Sequence, residues 1–298
     1  MPMNIDRQLR ERMAHDTAVF PISFFEDEFL VLPTRSIPLH WHPEFEFVTA
    51  SSGVLEVQVG HTLLRLEAGD SLLINGNVLH AMRQIEGERP DAMPNIVFSG
   101  TLIAPGGSAI HERYIRPIAT SDDLPFVLFK RGVEWHDAVN DALAEVYRKL
   151  RDAGACHEMA VQRQLSGIFE AIFRHLDELP RIGATRVQLA VQVRLQQMLT
   201  FIRAHYAENI TLADIAAAAS VSKSEANRCF NAYMNCTPVD ALIQYRLETA
   251  RRMLGDSTRT IREISEACGF NSESYFSRRY RRVYGCAPGQ GRNCTFRN

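Results

Sequence analysis

Several features are scarce in this chain of 298 residues. No apolar run approaches the roughly 20 residues that a membrane-spanning helix needs, so no membrane partner is expected. The N-terminal stretch carries Arg7, Arg10, Glu11 and Arg12 but no apolar core of the signal-peptide kind after them, and a cytoplasmic location is expected. Six cysteines are scattered without metal-ligand spacing. Two of them, Cys229 and Cys268, fall on apolar positions of helical patterns, so reduced, buried thiols are expected. Net charge is scarce too: 33 Lys and Arg against 35 Asp and Glu leave −2. That balance hides an asymmetry. From Ala190 onward 15 basic residues face 9 acidic ones, which leaves 18 against 26 before it. The acidic front argues against nucleic-acid contact there, and the basic back admits it.

What is present points to two domains. The apolar content of 46% is ordinary and supports real cores. Between Ile22 and about Phe129 short β-rich runs alternate with turns. Strands are expected at 45–48, 54–59, 62–66 and 71–74, punctuated by Gly53, Gly60, Gly69-Asp70 and Asn75-Gly76-Asn77. Close spacing of short strands suggests a sandwich or a barrel. From Val133 the period changes. Val139, Leu143, Val146 and Leu150 share one helical face, and Leu165, Ile168, Ile172 and Leu176 share another after a break near Gly154. This helical hairpin packs either on the β domain or on a partner copy. Pro180 and Gly183 end it, and a further helix places Val187, Val191, Leu195, Met198 and Ile202 on one face.

The last third contains one pattern twice. Thr211-Leu212-Ala213-Asp214-Ile215 returns 49 residues later as Thr260-Ile261-Arg262-Glu263-Ile264. Arg228, Phe230, Cys236 and Pro238 return 50 residues later as Arg278, Tyr280, Cys286 and Pro288. A pattern that keeps register over so many positions is a duplicated supersecondary unit. Each copy opens with a threonine three residues before a carboxylate, the signature of a capped helix start. A tight turn follows, at 220–222 and at 269–271, and then a second helix from Lys223 to about Met234 and from Ser272 to about Tyr284. Short helix, tight turn and second helix make a helix-turn-helix, whose second helix enters the DNA major groove.

In the β region, His40-Trp41-His42-Pro43-Glu44-Phe45-Glu46 gives two histidines and Glu46 the same parity, hence one strand face. Gly53 follows seven residues after Glu46, and His80 ends the segment after Gly69-Asp70. This spacing resembles the two motifs of the cupin barrel. The first is complete in His40, His42, Glu46 and Gly53. The second keeps Gly69 and His80 but has Asn75 and Asn77 where Pro and Gly are usual. The resemblance implies two alternatives for His40, His42, Glu46 and His80. They hold a divalent metal, or they contact the hydroxyls of a small ligand such as a sugar with no metal and no other cofactor.

The duplicated unit resembles the DNA-binding domain of the AraC/XylS family of bacterial transcription regulators. The likeness rests on 222–230 (SKSEANRCF), on 269–280 (GFNSESYFSRRY), and on Arg246, Ala250 and Leu254 along the connecting helix that Thr237-Pro238 caps. It implies an α+β multidomain fold: a cupin-like sensor over 1–130, a helical hairpin for linkage or dimerisation over 131–185, and a double helix-turn-helix domain over 186–298. It implies base-reading roles for Ser224, Asn227, Arg228, Glu273, Ser274 and Arg278, with Lys223, Arg279, Arg281 and Arg282 on phosphates. Ala226, Phe230, Phe276 and Tyr280 are expected in the core. The partners implied are double-stranded DNA, a small-molecule effector, a second copy of the chain and RNA polymerase. The chain is then a non-enzymatic regulator, in the activator sense. A metal-dependent cupin enzyme and a ligand-independent DNA binder remain the alternatives. Three positions depart from the pattern. Ser220 stands where a turn glycine is usual, so the turn either avoids a strongly positive φ or is strained. Ala226 is small for its site, so looser packing of the first recognition helix is expected. The final motif, Pro288 to Arg292, lacks its usual tyrosine.

Overall fold

A computed structural model describes residues 20–28, 36–86, 92–182, 186–256 and 259–291. These residues fall into two compact units that divide between Gln188 and Leu189. Gly183, expected at the end of the hairpin, and Arg292 of the last motif lie outside the described residues.

The first unit holds nine strands: β1 (Ile22–Glu28), β2 (Ser36–His40), β3 (Phe45–Thr49), β4 (Val54–Val59), β5 (Thr62–Glu67), β6 (Ser71–Ile74), β7 (His80–Glu86), β8 (Ala92–Phe98) and β9 (Phe126–Phe129). They form two antiparallel sheets, β1-β8-β3-β6-β9 and β2-β7-β4-β5. The four expected strands are β3 to β6. The expected turns follow with φ of 63° at Gly53, 57° at Gly60 and 62° at Asn77. One stretch departs from the all-β expectation for this region. Residues 100–119 form a 3₁₀ turn, a π-helical turn at His111–Ile115 and the short helix α1 (Arg116–Ala119).

The hairpin is α2 (Glu134–Asp152) and α3 (His157–Arg174). Its apolar faces pack on the five-stranded sheet of the same unit: Val139, Leu143, Val146, Leu165, Ile168 and Ile172 share one core with Phe45, Phe98 and Phe129. The ring of Phe169 meets Phe45 edge-on at 5.1 Å and Phe98 at 6.1 Å. Aromatic pairs at such distances favour the edge-to-face arrangement, which adds direction to area burial.

The second unit is all helical: α4 (Arg186–His205), α5 (Leu212–Ala218), α6 (Lys223–Met234), α7 (Pro238–Asp256), α8 (Ile261–Ala267), α9 (Glu273–Tyr284) and α10 (Pro288–Gly291). Both expected caps close as full capping boxes. Asp214 accepts from the Thr211 backbone N–H at 2.8 Å, and Glu263 accepts from that of Thr260 at 2.7 Å. Two orphan donors are satisfied at each start, which lets helices of only seven residues hold their ends. Ala226, Phe230, Phe276 and Tyr280 are all buried, at 0–1% exposure, as a core role requires.

The two tight turns have the same hydrogen bonds. Val221 N–H donates to Ala216 O at 3.1 Å, and Phe270 N–H donates to Ser265 O at 2.9 Å. This closure needs a left-handed residue just past the helix. Gly269 supplies it with φ of 77° and Ser220 with φ of 53°. Of the two outcomes open to Ser220, the strained one holds: the hydrogen-bond pattern fixes the backbone whatever the side chain. At Gly269 a side chain is excluded for a second reason, because a Cβ there would lie 2.6 Å from Tyr206 O and 2.9 Å from Ala207 O.

Two substitutions are therefore expected to act in opposite directions. Ser220→Gly relieves a left-handed side chain and should stabilise the chain by about 0.5–1 kcal/mol, the strain being partly offset by the entropy of glycine in the unfolded state. Gly269→Ala should destabilise it by about 2 kcal/mol or more, since backbone must move. Urea unfolding followed by circular dichroism measures both, and equal shifts of the same sign would contradict the argument.

Candidate functional site

The four residues of the cupin-like motif converge. His40 ends β2, His80 begins β7 and the two are paired across the ladder. Glu46 lies in β3 between Ile74 of β6 and Val97 of β8. His42 lies in the connection between β2 and β3 rather than on a strand, so the turn and not strand parity aims it. One potential ligand atom from each of the four falls within 4.8 Å of all the others. Their exposures are only 0–3%, which makes a site the size of an ion rather than of a molecule.

The hydrogen bonds fix the ring orientations. The Nδ1 atoms contact backbone carbonyls: His40 to Pro38 O at 2.9 Å, His42 to Glu44 O at 3.1 Å and His80 to Val78 O at 2.8 Å. A carbonyl can only accept, so each Nδ1 carries the proton and Nε2 is the lone-pair atom of the neutral ring. Yet His42 Nε2 and His80 Nε2 lie 3.1 and 2.9 Å from Glu46 Oε2. A lone pair facing a carboxylate is repulsive, so the arrangement calls for a cation: a proton on the ring or a metal between the groups. Although close to Glu46, His80 Nε2 is buried without an aligned hydrogen bond. Burial opposes ionisation of Glu46, but with a proton on Nε2 of His42 and of His80 their interaction with the carboxylate outweighs it and holds the carboxyl far below its usual range. Burial, with His80 beside it, pushes the His40 imidazole well below its ordinary value, so that ring is neutral. Imidazoles anchored through Nδ1, with a carboxylate, form a donor set that first-row divalent metals accept.

The departures at Asn75 and Asn77 have a structural account. Asn75 Nδ2 donates to Ile118 O at 2.6 Å and to Leu124 O at 3.3 Å, and its Oδ1 accepts from Gly76 N–H at 2.8 Å. Asn77 N–H donates to His42 O at 2.7 Å. A Cβ at Gly76 would come within 2.3 Å of Pro43 O. These contacts clamp the loop that delivers His80 onto the turn that delivers His42. A cavity of about 500 Å³ lies elsewhere in the unit, lined by Ile103, Ile110, Tyr114, Phe169, Phe173 and Arg174. One side of it comes from the irregular 100–119 segment that periodicity did not reveal, and the other from α3.

In the second unit, the expected base-facing residues lie on the first two turns of α6 and α9. Ser224, Arg228, Glu273, Ser274 and Arg278 are exposed, and Asn227 is half-buried with its Nδ2 donating to Lys223 O at 2.9 Å. Lys223, Arg281 and Arg282 are exposed. Arg279 differs: its side chain is 26% exposed and its Nη2 lies 3.5 Å from Asp240 of α7. In the free protein it therefore ties α9 to α7.

Glu46→Gln keeps the shape of the cluster and removes its negative charge. Loss of one partner from a buried charged group typically costs about 3–5 kcal/mol, and a value near 3 is expected here from chemical unfolding of the first unit. A cost below about 1 kcal/mol would mean that the carboxylate does not organise the cluster.

Comparison with known proteins gives matches in both units. Residues 215–293 match a helix-turn-helix domain family and residues 28–92 match a cupin domain family. The HTH-type transcriptional regulator YdeC of Bacillus subtilis, itself uncharacterised, is 27% identical over 289 residues, 95% of this chain and 96% of that one. The transcriptional activator RhaS of Pectobacterium carotovorum is 23% identical over 268 residues, 89% of this chain and 90% of that one. A transcriptional regulator with an AraC-type DNA-binding domain from Chromobacterium violaceum, known as a crystal structure, is 30% identical, covers 35% of this chain and 94% of its own, and has a TM-score of 0.34. With a cupin domain on the buried His/Glu cluster and a helix-turn-helix domain on the duplicated repeat, this chain belongs to the AraC/XylS family of transcription regulators.

Proposed function

We propose that the second unit reads two successive major-groove segments, roughly 34 Å apart along the duplex, through α6 and α9. The observation that carries this reading is the shared design of those helices: each begins with exposed polar residues and carries an exposed arginine, Arg228 or Arg278, on its second turn. Ser224, Asn227 and Arg228 face bases from α6, and Glu273, Ser274 and Arg278 face them from α9. Arginine suits guanine, asparagine adenine and glutamate the cytosine amino group. Lys223, Arg281 and Arg282 contact phosphates, and Arg279 joins them only on leaving Asp240. A homodimer spans two half-sites, and contact with RNA polymerase makes the protein a cytoplasmic activator, a sense supported by the name of the RhaS relative.

The first unit is the sensor in this reading. The buried His40, His42, Glu46 and His80 group suits a divalent ion better than a sugar, because its side chains are 0–3% exposed and bring one ligand atom each within 4.8 Å of the others. Such an ion would tie β2, β3 and β7 together and supply a positive charge at the point where Glu46 needs one. The same burial disfavours an enzyme, since a catalytic ion keeps an open position for substrate. The effector is then a small molecule taken up elsewhere in the unit, and it regulates by binding two arrangements of the chain with different affinity.

Arg228→Ala and Arg278→Ala are each expected to weaken specific binding by about 1–3 kcal/mol in promoter footprinting. Specific protection that survives in both variants would contradict the base-reading roles. For the ion, chelator-treated protein is titrated with zinc or manganese while its unfolding midpoint is followed. At a hundred times the dissociation constant the gain should be about 2.7 kcal/mol, and His80→Ala should abolish it. A midpoint that no divalent metal moves would remove the ion from the reading.

A further inference from the structure

The two recognition arginines are each engaged by the residue three positions earlier. In α6, Arg228 Nη2 donates to Glu225 Oε2, while Arg194 Nη1 of α4 donates to the other oxygen of Glu225 at 3.0 Å. In α9, the guanidinium carbon of Arg278 lies 5.8 Å from the ring centroid of Tyr275. Glu225 and Tyr275 are equivalent across the 50-residue repeat, so one position does the same job with two chemistries.

Glu225 occupies the third position of its helix, as Asp214 and Glu263 do in α5 and α8. Those two carboxylates turn back to the N-cap backbone, but that of Glu225 is directed to two arginines. Its backbone N–H alone serves the cap, donating to Ser222 Oγ at 3.1 Å. Exposed ion pairs between neighbours on a helix seldom hold one geometry. This pair is different, because its acid is only 15% exposed and is fixed from α4, whereas Arg228 is 75% exposed and reaches outward. The guanidinium thus pivots about an anchored carboxylate. The Tyr275 ring guides its arginine without using any of the five guanidinium donors and without cancelling charge.

We propose that Glu225 and Tyr275 are positioning residues that aim Arg228 and Arg278 at their base pairs, the first by a shared carboxylate and the second by an aromatic face. The proposal rests on the base-reading roles given above. Holding an arginine in advance reduces the rotamer freedom lost on binding, and so sharpens discrimination at its own base pair. The two helices then read differently. Arg228 acts with its charge partly offset by a carboxylate that it shares with Arg194, and contributes mainly direction. Arg278 keeps its charge and contributes attraction as well.

The test uses the full chain and a duplex that the wild type selects from a randomised pool. Binding to this duplex and to each of its single base-pair variants is measured for Arg228→Ala, Glu225→Gln, Arg278→Ala, Tyr275→Phe and Tyr275→Leu. Glu225→Gln should flatten the preference about fivefold or more at the base pairs that Arg228→Ala flattens, leave the others unchanged and bind random duplex more tightly. Tyr275→Leu should flatten the preference likewise at the Arg278 base pairs, with no gain on random duplex, and Tyr275→Phe should keep the wild-type profile. A merely structural role would lower affinity evenly across base pairs. Should Glu225→Gln fail to fold, Arg194→Gln withdraws the anchor from the other side and should flatten the same base pairs, without the gain on random duplex. Wild-type profiles in the Glu225 and Tyr275 variants, alongside flattened profiles in the arginine variants, would refute the positioning role and leave base reading intact. Unchanged profiles in the arginine variants would overturn both.

Discussion

Two backbone carbonyls, those of Tyr206 and Glu208 after α4, hold the helical unit together. Arg246 of α7 donates to them from Nε at 2.6 Å and from Nη2 at 2.7 Å. The carbonyl of Tyr206 is also the atom that Gly269 must approach without a side chain. The same guanidinium lies 5.8 Å from the centroid of Phe270. One arginine therefore fixes the α4–α5 loop, the connecting helix and the turn of the second helix-turn-helix together. Charge-assisted hydrogen bonds to carbonyls just past a helix end are among the stronger ones available to a small core, roughly 1.5–3 kcal/mol each. Lysine would replace it poorly, because an ammonium lacks the fixed fork that sends Nε and Nη2 to two carbonyls at once.

Much of this architecture is legible in the sequence, for identifiable reasons. The capping boxes are local, so Thr211/Asp214 and Thr260/Glu263 announce their helices within four residues. The recognition helices are bounded by serine caps and by Asn235 and Gly285 in the left-handed region, and both signals are short-range. The hairpin is legible because its buried residues recur at helical spacing. The His/Glu group is legible as a motif but not as geometry. His42 shares parity with His40 but is aimed by a turn, and Asn75 reveals its use only when Ile118 and Leu124 come near. The 100–119 segment was not legible, since a 3₁₀ turn, a π turn and one turn of α-helix share no period. Glu225 and Tyr275 did carry a signal, the shared spacing of three residues before an arginine, but one visible only once the repeat is aligned. Arg279 reads as a phosphate ligand in sequence because Asp240, its partner, is 39 positions away.

The electrostatics of the two units differ in kind. In the first, four ionisable side chains are withdrawn from water: the three rings anchor on backbone carbonyls, and Glu46 meets His42 and His80. Their state is set by desolvation and by hydrogen bonds, and bulk salt has little access to it. In the second, the charges that matter are at the surface, on short helices, where ionic strength and phosphate compete directly. A single chain thus carries one charge cluster insulated from its surroundings and one that reports on them.

The packing of the hairpin on the five-stranded sheet has a mechanical consequence. Thr49, three residues after Glu46 on β3, bonds to Ser71 of β6 at 2.8 Å and to the hydroxyl of Tyr147 in α2 at 3.0 Å. The rings of Phe45 and Phe98 bear on Phe169 of α3. Close-packed interiors compress little, so a strand displaced at one point cannot absorb the movement by itself. The first unit therefore behaves as a stiff body rather than as a barrel with a soft attachment. Force applied to β3 is delivered to both hairpin helices at once, with almost no slack.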